Sequence, residues 1–227
     1  PWTAPPSLTS WTTPNDRFYR IDTALVVPKI DPESWSLRID GMVERAVELS
    51  LADLFAMNVV DSAVTLACVS NEVGGHLVGN AVWTGVPLVD VLELAGPAES
   101  AEQVMAWSVD SFSAGFPLSV LGSDRTALVA FGMNGEPLPF RHGFPVRLVV
   151  AGLYGYVSAV KWLERIELTA MDVDGYWIPR GWAKEAPIKI ASRIDVPLQS
   201  QTTPGGQAVA GVAWAPVVGV AEVELAI

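Results

Sequence analysis

The sequence predicts an α+β fold, with mixed β-sheets and short helices, followed by the start of a second, all-β domain. Three observations carry this. Short apolar runs of strand length recur along the chain, separated by Gly, Pro and Asn. Two brief segments carry helix start signals instead. After about residue 187 the composition turns polar and irregular before two more strand-like runs. Hydrophobic residues make up 50% of the 227 positions and charged residues 17%, which supports a packed core and excludes a disordered chain.

The elements follow in order. Residues 1–16, rich in Pro, Thr and Ser, predict an extended arm. SLRID (36–40) and AVEL (46–49) read as strands joined through Gly41. Ser50 caps a short helix with Asp53 in its first turn. AVTLA (63–67) reads as a buried strand running into Cys68 and the loop CVSNEVGGH. Pro87 opens a helix with Leu88, Val91, Leu92 and Ala95 on one face, and Gly96 closes it. VMAWSV (104–109), ALVAF (127–131), VRLVV (146–150) and VKWLERIEL (160–168) read as strands, the last with its alternation broken at Leu163. MNGEP (133–137) carries an Asn-Gly turn. IKIASRIDVPLQSQTTPGGQ reads as irregular, then QAVAGVAW and VAEVELA as two strands. The boundaries are 1–189 for the first domain and 190–227 for the beginning of the second, whose remainder is missing because two strands make no sandwich.

Charge and cysteine content narrow the function. A net charge of −11 with 14 Lys and Arg and no basic run argues against nucleic acid as a partner. One cysteine excludes a disulfide within these residues and a zinc site of several thiolates. With His76 and His142 the only histidines, a metal here needs ligands brought by a cofactor. No run of 18 apolar residues is long enough to span a bilayer.

Two places look chemical. Cys68 stands where a strand meets a glycine-containing loop, and its soft thiolate suits a transition metal; a lone Cys is otherwise a small core hydrophobe. Within 21 residues lie Arg141, His142, Arg147 and Lys161, among glycines and interrupting very apolar strands. An Arg fork, a Lys point charge and close backbone N–H groups are what a phosphate needs. The plain alternative is a set of solvated surface charges.

Here the residues resemble a known family. MNGEPLPFRHGFPVR followed by VKW is similar to the sulfite oxidase family's MNG-x-PLP-x-x-HGFPVR…VKW pattern. TLACVSN resembles the family's strand and loop with the metal-ligand Cys, and WTGVPLVDVLELAG the segment after it. DRFYRID resembles its early segment, and the trailing β piece its immunoglobulin-like dimerisation domain. The resemblance covers roughly residues 14–227. It implies a molybdopterin-domain fold, a molybdenum-molybdopterin cofactor and an oxidoreductase. Cys68 becomes the molybdenum ligand. Phe18, Tyr19, Arg20, Asp110, His142, Arg147, Ser158, Val160 and Lys161 become cofactor contacts, with Arg20 also falling at an active-site Arg.

Two departures stand out. An Arg follows the ligand Cys in sulfite oxidases, and here Glu72 stands near that place. The family's active-site Tyr is replaced by Trp182. A pocket changed in this way points away from sulfite and toward a sulfoxide or N-oxide. There is no CxxCH haem motif, so electrons are expected to pass to a separate carrier protein or membrane subunit. A homodimer through the C-terminal domain and an extracytoplasmic or membrane-anchored location are expected from the relatives. Two other readings stay open: a cysteine nucleophile paired with His142 or His76, and a cofactor-free interaction module.

Overall fold

A computed structural model describes residues 8–122, 125–197 and 205–226. Its strands are β1 (Ser36–Gly41), β2 (Val47–Ser50), β3 (Val60–Ala67), β4 (Val78–Pro87), β5 (Gln103–Ser108), β6 (Ser113–Pro117), β7 (Ala127–Met133), β8 (Glu136–Pro137), β9 (Arg147–Val150), β10 (Leu163–Thr169), β11 (Ala191–Val196) and β12 (Ala210–Trp214). Three short helices are α1 (Leu51–Ala56), α2 (Leu88–Glu93) and α3 (Gly155–Ser158). One five-stranded sheet has the order β2-β1-β10-β5-β6, and its β1–β10 pair is parallel, so the sheet is mixed. A second holds β3-β4-β7-β8, with β9 also on β7. β11 and β12 form a two-stranded hairpin. The expected α+β architecture of mixed sheets and short helices is what the chain adopts.

The second sheet is buried on both faces, which explains the uninterrupted apolar runs of β7 and β9. On one side Val86, Val129, Leu148 and Val150 pack with Leu37, Ile39 and Ile166 of the first sheet and with Leu88 and Val91 of α2. On the other side Phe18 lies against Val64, Leu66, Trp83 and Leu128. α1 starts where its sequence says it should. Ser50 caps Asp53 N–H, and the Asp53 carboxylate accepts from Ser50 N–H in return.

The structure corrects several expectations. β4, ten residues long, was hidden by Gly79 and Gly85, which dilute its alternating pattern. Both glycines serve packing: a Cβ on Gly79 would lie 2.6 Å from the Phe18 ring, and one on Gly85 would lie 2.4 Å from Val129 O. β6 was also missed. The strand expected over 160–168 starts only at Leu163, because Trp162 turns with φ +50. Past residue 190 the assignments reverse. ASRIDV, read as irregular, is β11, whereas VAEVELA forms no strand. The polar residues of β11 are held individually: Arg193 donates to Gly75 O and Thr9 Oγ1 and pairs with Asp195. Residues 1–7 of the expected arm lie outside the described residues; beyond them Thr13 N–H bonds to Asn80 O of β4.

Candidate cofactor and active site

β3 ends at Ala67 and delivers Cys68 to a loop. Cys68 N–H still bonds to Leu77 O at 2.9 Å, and its Sγ accepts from Ser70 N–H at 3.4 Å. Leu77 N–H bonds to Asn71 Oδ1, which closes the loop on itself. The thiol is half-buried and borders two cavities.

The larger cavity, of about 260 Å³, is lined among others by Phe18, Tyr19, Cys68, Asp110, His142, Arg147, Lys161 and Trp182. Eight of the expected site residues therefore converge on one space. β9 supplies Arg147, which is 4% exposed and whose guanidinium lies 4.8 Å over the Trp83 ring. Its Nη1 donates to His142 O at 3.0 Å, and its Nε has no partner among the described residues. The break before β10 turns Lys161 inward, where Nζ meets Asp22 Oδ2 at 2.5 Å. His142 ends a one-turn helix and bonds through Nε2 to Asn15 O at 2.8 Å. The Phe18 ring sits edge-on to both His142 and Trp83.

Burial dominates the electrostatics. It lowers the His142 imidazole to about 4, helped by the nearby cations Arg147, Arg141 and Lys161. It lowers Arg147 to about 10. It also lowers Lys161 to about 8, against the opposing pull of Asp22. Burial raises the Tyr19 phenol as well. For Asp22 burial works upward, but the hydrogen bonds from Arg20 and Lys161 together outweigh it and hold the carboxyl low.

Four expected residues sit elsewhere. Arg20 is exposed and reaches the cavity only through Asp22, with Nε 2.7 Å from Oδ2. Ser158 is buried, and its hydroxyl donates to Leu153 O and Tyr154 O. Val160 is buried, and its carbonyl accepts from Leu148 N–H. Neither lines the cavity, although Ala159 and Lys161 beside them do. Glu72 borders the second, smaller cavity on the far side of the Cys68 loop, with Lys189 and Trp214. Sequence reasoning missed Asp22, Tyr156 and Trp177. The first had a signal, since it follows Arg20 by two positions on an extended segment.

The donor set fits a pterin-bound metal. Among the described residues no group of three or more His, Cys, Asp or Glu is placed to hold a metal ion, so a metal at Cys68 takes its other ligands from a cofactor. An unpartnered buried Arg147 Nε and an inward Lys161 suit that cofactor's anionic tail. No such provision is needed for a cysteine nucleophile. Of its expected histidine partners, His142 lines the same cavity but has its Nε2 committed to Asn15 O, and His76 is exposed.

Comparison with known proteins agrees. Residues 24–177 match the oxidoreductase molybdopterin binding domain family. The chain is 30% identical to human mitochondrial sulfite oxidase over 92% of its own length and 46% of that protein's. It is 35% identical to the oxidoreductase YuiH of Bacillus subtilis over 67% of its own length and 74% of that protein's. The sulfane dehydrogenase SoxCD from Paracoccus pantotrophus superposes with a TM-score of 0.74 at 25% identity, over 84% of this chain and 54% of that one. The chain thus spans about half the length of the sulfite oxidases it matches. With the motif residues gathered at one cavity beside Cys68, the chain belongs to the molybdopterin-binding oxidoreductases of the sulfite oxidase family, whose cofactor is molybdenum-molybdopterin.

Proposed function

We propose that this chain moves an oxygen atom between water and a small neutral or weakly charged substrate, a sulfoxide or N-oxide in preference to sulfite. The supporting observation is the charge balance around Cys68. Among the described residues lining the large cavity, the cations Arg147 and Lys161 face the carboxylates Asp22 and Asp110. Both cations suit the cofactor's own negative charge, which leaves no surplus for a doubly charged oxyanion.

The molybdenum cofactor, when bound, supplies the two-electron redox couple and the site of oxygen transfer. The chain's residues do the rest. Cys68 offers the metal a soft thiolate. Arg147 and Lys161 hold the anionic tail, Lys161 after exchanging its partner Asp22. Phe18, Tyr19 and His142 fix the cofactor's position, with His142 neutral at physiological pH. Trp182 replaces a phenol with an apolar wall and one N–H donor. Because Glu72 lies on the smaller cavity, discrimination falls chiefly on Trp182 and on the charge balance.

Electrons are exchanged with a separate carrier protein or membrane subunit, in an extracytoplasmic or membrane-anchored setting. Residues 190–227 begin an immunoglobulin-like domain through which copies pair. Steady-state assays with an artificial electron carrier test the substrate assignment. Sulfoxide or N-oxide reduction should exceed sulfite oxidation, and Glu72→Gln should change the ratio by less than about threefold. Sulfite oxidation near about 10⁶ M⁻¹s⁻¹ without sulfoxide or N-oxide turnover overturns it.

A further inference from the structure

One wall of the large cavity is aromatic. Tyr156, Trp177 and Trp182 all line it. Trp182 stands between the other two. Its ring centroid is 5.0 Å from Tyr156 at an interplanar angle of 65°, and 5.3 Å from Trp177 at 50°. Neither neighbour lies parallel to Trp182, so the rings do not stack into a closed layer. All three are half-buried, which leaves ring surface open to the cavity. The wall is also anchored: Tyr156 OH donates to Ala183 O at 2.8 Å.

A group of inclined aromatic rings at a cavity attracts a cation through its π-faces, and alkylated ammonium groups are the ligands best suited to it. The local charge admits the same ligand, because Arg147 and Lys161, which line the cavity too, are taken up by the cofactor's negative charge in the reading above. Asp22 and Asp110 line the cavity, and the chain carries −11 overall. The neighbouring ring already hosts a cation. Arg180 lies 3.8 Å over Tyr176, whose centroid is 5.2 Å from Trp177.

We propose that Tyr156, Trp177 and Trp182 form a receptor for an alkylated ammonium group, and that the substrates of this site are alkylamine N-oxides. This rests on the oxygen-transfer reading above and narrows its substrate class. The nitrogen of an N-oxide carries formal positive charge, and its alkyl groups present that charge to the rings. On reduction the N–O bond breaks and the oxygen leaves as water with two protons from solvent. The two electrons come from the carrier protein, replaced in an assay by a reduced viologen. The amine product takes up a proton at neutral pH and remains a cation.

The test uses the purified holoprotein and isothermal titration calorimetry, with choline and its neutral isostere 3,3-dimethyl-1-butanol as probes. Choline should bind about tenfold or more tightly than the isostere. Trp182→Leu and Trp177→Leu should each abolish most of that difference, and Trp182→Phe, which keeps a π-face, should preserve part of it. Circular dichroism checks that each variant is folded, and the second tryptophan serves if the first variant is not. Equal affinity for the two probes overturns the receptor, as does choline binding unchanged in both leucine variants. An enzyme that reduces sulfoxides or N-oxides but ignores choline overturns this inference and leaves the oxygen-transfer reading standing. Choline bound through both tryptophans in an enzyme that oxidises only sulfite supports the receptor and overturns that reading.

Discussion

The floor and the rim of the cavity are built by opposite means. At the floor Arg147, His142 and Lys161 are each less than a tenth exposed and stand at a strand start, a helical turn and a strand break. At the rim Tyr156, Trp177 and Trp182 are half-buried and come from the one-turn helix α3 and from residues 176–182. Buried charge is expensive: an unsatisfied polar group costs about 1–3 kcal/mol, and more when charged. Such a floor is retained for a ligand that completes it. Half-buried aromatic rings carry no such desolvation cost. The floor therefore suits a cofactor, and the rim is left to meet a substrate.

The sharpest break of the floor is at the thiol. Cys68→Ser should leave the fold intact, because Ser also accepts the Ser70 N–H, while oxidoreductase turnover falls by about 10³-fold or more, equal to about 4 kcal/mol of barrier. Unchanged turnover would remove Cys68 from the metal site. The next effect is a pH dependence. His142 is lowered from about 6.5 unfolded to about 4 folded, so the folded protein binds the proton more weakly than the unfolded chain does. The stability this gives is complete above about pH 6.5 and is lost as pH falls toward 4, by about 3 kcal/mol. Urea unfolding of the wild type across this range should show the loss. His142→Gln, which keeps an N–H donor but takes no proton, should flatten it; an equally steep loss in that variant would assign it elsewhere.

Arg147 sharpens the contrast with the rim. On the proposed role, a charge-assisted hydrogen bond from it to the cofactor is worth about 1.5–3 kcal/mol, so Arg147→Ala should lower pterin content on extraction by about tenfold or more. Substitutions at Trp182 should leave pterin content unchanged. Full pterin content in Arg147→Ala would separate this residue from cofactor binding.

The same contrast explains what was legible in the sequence. Arg147 and Lys161 stood out because charges that interrupt apolar strands have few structural reasons to be there. Cys68 stood out at a strand end. Lys161 was legible as a cavity residue even though its strand was placed wrongly, since the broken alternation at Leu163 marks the turn that aims it. Arg20 falls in the family's place, but here Asp22 lines the cavity and Arg20 stands outside it as the Asp22 partner. Glu72 likewise is carried by the turns at 71–75 to the smaller cavity that Cys68 also borders. The rim was half legible. Trp182 showed as a departure from a motif, but Tyr156 and Trp177 meet it only through tertiary packing, which no spacing rule encodes. β4 was illegible because its glycines serve Phe18 and β7 rather than the strand itself.

The central claim is that the cavity beside Cys68 holds a molybdenum-pterin cofactor. It is tested most directly by molybdenum and pterin analysis of the folded protein, purified from a host that makes the cofactor. The account predicts about one molybdenum and one pterin per chain, with the metal lost in Cys68→Ser and the pterin depleted in Arg147→Ala. Folded protein from such a host that carries neither would contradict it.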